Sequence, residues 1–462
     1  MFRPLLVLAA TASVFAAAPR PVLAQRSTLE RVVRQQVLDN GLEVIVVENR
    51  AVPLATVEIV VKNGSFTQEA GEEGVPHLFE HMIFRGYEGF QGNSFIDDAG
   101  TINAGYNGTT QEEHVTYYLT LPSRNIGRGM EILARAIREP RFDQETLDRE
   151  RQVVLGEYER QTSNPLWHLR NEMTKQLYGS SFGRKNTIGS RESLTAATPR
   201  LLNTIYQRYY VPNNTALLVT GDVEANEVFA LAKKHWGSWQ RREDPFRTHP
   251  VPAVPPLTRD QSVTVQADVN DVVVLLQWQG PSAGKDVNGT YAADVFSDVM
   301  NQTNSTLQQR LVDSGLFQGL NVHYYTLDQN GPITISGTTT ADKLRPALAA
   351  LREEIEKFDD PGYFSDEELE ITKKQRIVET VFGLERTSAL AHTMAFWWAV
   401  VGLEYYMGYV DAMAAQKAEN LREYARRYII GKPKVLGVLV SPQVSRQIEP
   451  VVQEFVRVNG TE

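Results

Sequence analysis

The sequence predicts an α+β protein of two similar domains, each of about 210 residues. Three observations carry this reading. The chain has 462 residues, too many for one ordinary hydrophobic core. Runs rich in valine and isoleucine alternate with segments of helical periodicity along its whole length. A segment near the end of the first half also returns near the end of the second. Leu202 to Val223 holds Arg208-Tyr209-Tyr210-Val211-Pro212 before a strand, and Leu421 to Pro442 holds Arg427-Tyr428-Ile429-Ile430 before another. Leu202 matches Leu421 and Arg208 matches Arg427 at one constant offset, the mark of a duplicated unit.

Residues 1–24 read as a cleaved export signal. Arg3 gives the positive start, Leu5 to Ala18 the apolar run, and Val22-Leu23-Ala24 the small residues before the cut. Pro19 and Pro21 interrupt the run, which argues against a stable membrane span, and the expected location is the periplasm. The mature chain then starts near Gln25 and its first domain covers 25–244. Val44 to Glu48 and Thr56 to Val61 are strands, set off by Asn40-Gly41 and Asn63-Gly64. A buried helix follows at 76–85. Residues 87–113, rich in Gly, Asn, Asp and Thr, read as loop with one short strand near Asn103. His114 to Leu121 alternates as a strand. Helices are expected at 125–138, 143–161, 166–177, 199–209 and 225–238, and a buried strand from Ala216 to Thr220.

Five prolines between Gln240 and Leu257 mark the clearest break, an extended linker with its core at 245–257. The second domain, 258–462, resumes the alternation. Strands are expected at Val263 to Val269, Val272 to Trp278, Asn321 to Thr326 and Ile333 to Thr338, and helices at 288–312, 342–358, 365–381 and 386–402. The aromatic run Met394 to Tyr406 is broken by Gly402 and Glu404 and reads as core rather than as a membrane span.

Composition narrows the function classes. The net charge of −9 argues against nucleic-acid binding, which needs a basic face. The absence of cysteine excludes disulfides and thiolate metal sites.

The chemistry concentrates in Pro76-His-Leu-Phe-Glu-His-Met-Ile-Phe-Arg-Gly86. Pro76 suits a first helical turn and Gly86 a stop. On a helix His77 and His81 stack on one face, with Glu80 beside them, while Leu78, Phe79, Met82, Ile83 and Phe84 are apolar. Three ionisable groups on a buried helix need compensation, and a metal ion provides it. Two imidazoles at i, i+4 make a zinc clamp, and Glu80 can work on a water without binding the metal. His-x-x-Glu-His is the inverted form of the commoner zinc signature. On the residues alone the alternative is two satisfied core histidines and an ion-paired glutamate.

A catalytic zinc wants a third protein ligand. The candidates lie on the helix 143–161, where Glu150 and Glu157 are seven apart and share a face. Spacing does not choose between them. The other histidines, His114, His168, His235, His249, His323 and His392, lack ligand spacing and are expected to be structural or superficial.

These segments together resemble the pitrilysin/insulysin family of zinc metallopeptidases, in its bacterial, processing-peptidase-like branch. The matching stretches are Leu38-Asp39-Asn40-Gly41-Leu42, Gly74 to Met82, Asn103-Ala104, Arg149 to Glu157, and Tyr210-Val211-Pro212-Asn213-Asn214 leading to Gly221-Asp222. Pro76 stands where the family often has alanine. The resemblance implies that Glu157 is the third ligand of one zinc per chain, and that Glu150 orients a ligand histidine. It implies two halves, each a mainly antiparallel sheet backed by helices, with four such halves closing as a clamshell around a chamber. It implies an endopeptidase for unfolded peptides, in which Glu80 activates the water and the peptide adds as a strand near Asn103 and Ala104.

One departure bears on assembly. Active relatives carry an Arg and a Tyr in the second half, and aligned on Gly315-Leu316 those places hold Leu311 and Gln318. A leucine donates no hydrogen bond, and a lost oxyanion donor costs about 100- to 1,000-fold in rate. The expectation is the zinc-bearing subunit of a heterodimer whose homologous partner supplies the Arg/Tyr pair. The alternative is a homodimer in which Arg310, Tyr324 or Tyr325 substitutes. A non-catalytic assembly protein of the same fold is the second reading, disfavoured by the intact set His77, Glu80, His81 and Glu157.

Overall fold

The computed structural model describes residues 25–88, 94–383 and 386–457, so the expected export signal at 1–24 lies outside the described residues. The chain forms two sheets. The first takes β1 (Val33–Val37), β2 (Glu43–Glu48), β3 (Leu54–Val61), β4 (Gly105–Thr110), β5 (Val115–Pro122) and β6 (Thr215–Gly221), in the spatial order β1-β2-β6-β3-β5-β4. The second takes β7 (Gln261–Gln266), β8 (Val272–Gln279), β9 (Gly319–Tyr324), β10 (Pro332–Thr339) and β11 (Val435–Val440), in the order β7-β11-β8-β10-β9.

Apart from β1 the two sheets are the same object. In each, the unit's first strand pairs parallel with its last, β2 with β6 and β7 with β11, and every other pairing is antiparallel. The helices that lead into the last strands, Pro199–Tyr209 and Ala418–Tyr428, carry the matched pairs Leu202/Leu421 and Arg208/Arg427 in equivalent places. Both leucines are fully buried. The sequence repeat is thus a repeat of topology.

Strand alternation sorts each sheet's side chains onto two faces. In the first sheet Val44, Val46, Val57, Ile59, Leu217 and Val219 join a core with the helices Val75–Ile83, Ile126–Arg138 and Ala225–Trp236. The opposite face, Ile45, Val47, Val60, Ala216 and Leu218, is buried in the core of the second half. It is covered by the helix Thr387–Val400, which packs on β3 and β6. The second sheet repeats this with the roles exchanged. Leu275, Val435 and Leu439 are covered by Leu169, Met173 and Leu177 of the helix Pro165–Tyr178, which belongs to the first half. Each half therefore lends one fourteen-residue helix to the other's sheet. The aromatic run expected to be core forms the first of these joints. Trp397 stacks on Tyr405, and the helix ends where Gly402 takes φ 108°.

The structure departs from the reading of the sequence in three places and adds elements where that reading had placed none. Residues 94–101 form a helix inside the stretch expected to be loop, while the short strand expected near Asn103 is β4, from 105 to 110. The expected helix 288–312 stops at Met300, because the Asn301 side chain bonds both ways with the backbone of Val322 on β9 (2.7 and 2.8 Å), and Ser305 then caps a new turn. Pro245–Thr248 is a short helix inside the proline-rich break, held by Phe246 against Phe66 and Tyr209. The last helix, Pro442–Arg457, carries Pro450 within it. Among the described residues no helix is long and apolar enough to cross a membrane.

Candidate metal centre

The helix Val75–Ile83 starts on Gly74, whose φ of 82° favours glycine and where a Cβ would lie 2.5 Å from the carbonyl oxygen of Ile188. Pro76 occupies the first turn, and Leu78, Phe79, Met82 and Ile83 are fully buried. That burial fixes the helix rotation and turns His77 and His81 to the same side, their rings 5.0 Å apart and edge to face. The facing helix, Gln144–Thr162, is capped by Asp143, whose carboxylate accepts the Thr146 N–H at 2.9 Å. It packs on the histidine helix and brings its two glutamates to different depths.

Glu157 stands at the mouth. Its Oε2 lies 3.5 Å from His77 Nε2 and 3.8 Å from His81 Nε2. Glu150, two turns earlier, is almost fully buried. It lies 3.5 Å from His81 Nδ1 and takes the Arg85 guanidinium at 2.8 Å. Glu80 points to the first sheet, where the Thr110 hydroxyl donates to its Oε2 at 2.7 Å. The backbone of Gly108 passes so close that a Cβ there would lie 2.9 Å from Glu80 Cγ. Asn103, at φ 52°, and the half-buried Ala104 form the turn that leads into β4. Among the described residues no hydrogen bond or ion pair links their side chains to the histidines. β4 is the last strand of the sheet, with one edge unpaired among the described residues.

Burial, and then the charge of His81, push the His77 ring down to about 4, so it is neutral at neutral pH with a lone pair free. Burial works against the charge on His81, but Glu150, Glu157 and Glu80 outweigh it and raise the ring above its ordinary value. Burial likewise works against Glu150, but His81 and Arg85 prevail and hold it low. Burial raises Glu80, opposed by the Thr110 hydroxyl and by His81.

One donor atom from each of His77, His81 and Glu157 lies within 4.8 Å of the others, the one such group among the described residues. Separations of 3.5 and 3.8 Å are long for N–H···O hydrogen bonds. They are close to the edge of a tetrahedron with ligand bonds of 2.0–2.1 Å, about 3.3 Å. The donor set, two imidazoles and a carboxylate, is a zinc set with a position left open. The residues fit the ion. Thr110, Gly108 and Arg85 were not found from the sequence. Arg85 had a signal, since it continues the stripe His77, His81 at i+4. Thr110 is thirty residues from Glu80 with no periodic relation to it.

Of the positions weighed for substrate contact, Leu311 is fully buried on a single π turn, Gln309–Asp313, and Gln318 is exposed. Arg310 is held by the buried Glu354 at 3.2 Å. Tyr324 is buried with its hydroxyl donating to the Pro281 carbonyl at 3.0 Å. The Tyr325 hydroxyl donates to Glu112 at 3.1 Å, close behind β4.

Two like sheets, each backed by helices, and a His-x-x-Glu-His helix facing a glutamate define a metallopeptidase-like class of protein. A family model described as insulinase (peptidase family M16) matches residues 43–187, and one described as peptidase M16 inactive domain matches 196–376. The chain belongs to the M16 peptidase family. The zinc protease PqqE of Helicobacter pylori is 24% identical over 403 residues, covering 85% of this chain and 86% of that one. A solved protease from Helicobacter pylori superposes with a TM-score of 0.78 at 22% identity, over 88% of this chain and 99% of that one. The periplasmic protease PqqL from Escherichia coli superposes with a TM-score of 0.72 at 19% identity, over 93% of this chain but 50% of that one. These two likenesses show the fold.

Proposed function

We propose that the chain is the zinc-bearing subunit of an exported endopeptidase that cleaves unfolded peptides inside a closed chamber. The observation that carries this is the convergence of His77, His81 and Glu157 beside Glu80. A zinc ion held by those three supplies Lewis acidity, which brings the pKa of a water to about 7 and polarises a carbonyl. Glu150 fixes the His81 ring through Nδ1 and leaves Nε2 for the ion. Glu80 takes a proton from the attacking water and returns it to the leaving amide nitrogen. Burial raises its proton affinity, and the Thr110 hydroxyl holds one of its oxygens in place. The peptide pairs with the free edge of β4, beyond Asn103 and Ala104, through backbone hydrogen bonds that ignore sequence.

Assembly follows from what the second half lacks. Leu311 and Gln318 offer no Arg/Tyr pair, and Arg310 and Tyr324 are tied up elsewhere. A homologous partner supplies the pair, and two chains of this length equal one PqqL chain, of which this one spans half. Residues 1–24 are removed on export to the periplasm, the compartment in which the similar protease PqqL works. The mature chain is divided into 25–244, the linker 245–257 and 258–462.

The test is Glu80→Gln. The variant is expected to keep zinc, measured by metal analysis, and to lose hydrolysis by about 100- to 10,000-fold with the partner present. A wild-type chain that binds no zinc would leave only the assembly-protein reading. Full activity of the chain alone would remove the heterodimer and leave the enzyme.

A further inference from the structure

Where the two halves meet lies a cavity of about 440 Å³, large enough for a small molecule. None of the metal-site side chains lines it. The first half contributes Lys62, just past the end of β3, and Glu113, just before β5. The second half contributes Asp328 and the C-terminal end of the lent helix Thr387–Val400. Phe66, with Phe246 and Val251 of the proline-rich break, makes the apolar part of the wall.

Two charges in this wall lack a full set of partners. The Lys62 ammonium lies 4.7 Å from the centre of the Trp398 ring, and no carboxylate among the described residues is within ion-pair distance of it. Burial pushes this ammonium down, while Glu43, Asp328 and Asp244 act from further off to keep its charge. The Asp328 carboxylate accepts the Gly284 N–H on Oδ1 at 3.2 Å, and Oδ2 has no partner among the described residues. The loop is built to seat that group, since a Cβ on Gly284 would collide with Oδ1. Glu113 offers less, because both its oxygens already accept N–H groups, from Asp328 and Gln329. The lent helix adds a second negative pole. Its Trp397 carbonyl takes the N–H groups of both Val401 and Gly402, so the carbonyls of Ala399 and Val400 are left without a backbone donor at the cavity.

A simple anion placed here would meet Asp328 and the helix end, and a simple cation would meet Lys62. A molecule that carries both charges answers both, through charge-assisted hydrogen bonds at each end. Between them Phe66, Phe246 and Val251 take an apolar body. An α-amino acid with an apolar side chain, or a dipeptide of such residues, has this chemistry.

We propose that this cavity binds an apolar amino-acid zwitterion, free or as a dipeptide, with its carboxylate on Lys62 and its ammonium on Asp328 and the end of the lent helix. The inference stands apart from the metal centre and does not rest on the peptidase reading. Because both halves line the cavity, the ligand ties them together.

The test is isothermal titration calorimetry on the full-length chain, with zinc added and again with a chelator present, since a free amino acid also ligates zinc. The ligands are leucine, leucyl-leucine, leucinamide without the carboxylate, N-acetylleucine without the ammonium, and glycine without the apolar body. Leucine or leucyl-leucine is expected to bind about tenfold more tightly than leucinamide, N-acetylleucine or glycine, and equally well with and without zinc. The tighter of the two tells a free amino acid from a dipeptide. Lys62→Gln should bring leucine down to the level of leucinamide, and Asp328→Asn to that of N-acetylleucine. The blocked ligands on the wild-type chain remain decisive if a variant does not fold. Binding that needs zinc, equal binding of the blocked forms, or no binding up to about 10 mM overturns the site. A chain that binds leucine in this way but holds no zinc keeps the site and loses the peptidase.

Discussion

Glu150 touches His81 on the helix Val75–Ile83 and Arg85 just past its end, so on the zinc reading its loss should be felt at the ion without any contact to it. Glu150→Ala frees the His81 ring and strands the Arg85 guanidinium, so zinc affinity should fall about 10- to 100-fold in a competition against a chelator. Gly108→Ala tests the other side of the site. A Cβ there must move Glu80 or Phe84, so turnover should fall while bound zinc stays at one per chain. At this scale the sequence was partly legible. The stripe His77, Glu80, His81 follows from helical spacing alone. The different places of Glu150 and Glu157 do not, because both lie on one face and only the crossing of the two helices decides which reaches the mouth.

Among the elements, long periodic segments were legible and short or glycine-rich ones were not. The helix read at 199–209 has those bounds, and the strands read at Val44 and Thr56 are off by two residues at most. β4 was legible only as a short strand near Asn103, because an edge strand that must approach Glu80 closely uses Gly105, Asn107 and Gly108, which are poor strand formers. The helix Ser94–Thr101 was hidden by Asp97, Asp98 and Gly100, although Phe95 and Ala99 are buried one turn apart. No periodicity says which sheet a helix will cover, so the exchange of helices between the halves could not be read at all. That exchange predicts a specific coupling. At Gly437 on β11 a Cβ would lie 2.0 Å from Met173 Sδ of the lent helix, so Gly437→Ala should cost about 1–3 kcal/mol in urea unfolding. Met173→Ala makes room, so the double variant should be more stable than the sum of the two single effects predicts.

For the whole molecule, the joint between halves carries a pH signature. Glu113 is buried beside β5 and accepts the N–H groups of Asp328 and Gln329 from the second half at 2.7 and 2.8 Å. Burial holds its carboxyl up at about 7, with Lys185 and the two N–H groups opposing and Asp328 adding to the rise. The folded chain therefore binds this proton more tightly than the unfolded chain, whose glutamates titrate near about 4.3. Glu113 thus favours the fold below that value, and its contribution is lost as pH rises to about 7 and is flat beyond. Glu113→Gln should flatten the fall in urea midpoint across this window. Asp294, also held up to about 7 by burial, should leave a residual slope of the same sign. Cutting the irregular stretch 250–258 should not part the halves, and the two pieces should elute together on gel filtration.

The crossed helices leave neither half able to hide its own sheet. Taken alone, each would turn one apolar face to water, so neither half is expected to stay folded and monomeric without the other.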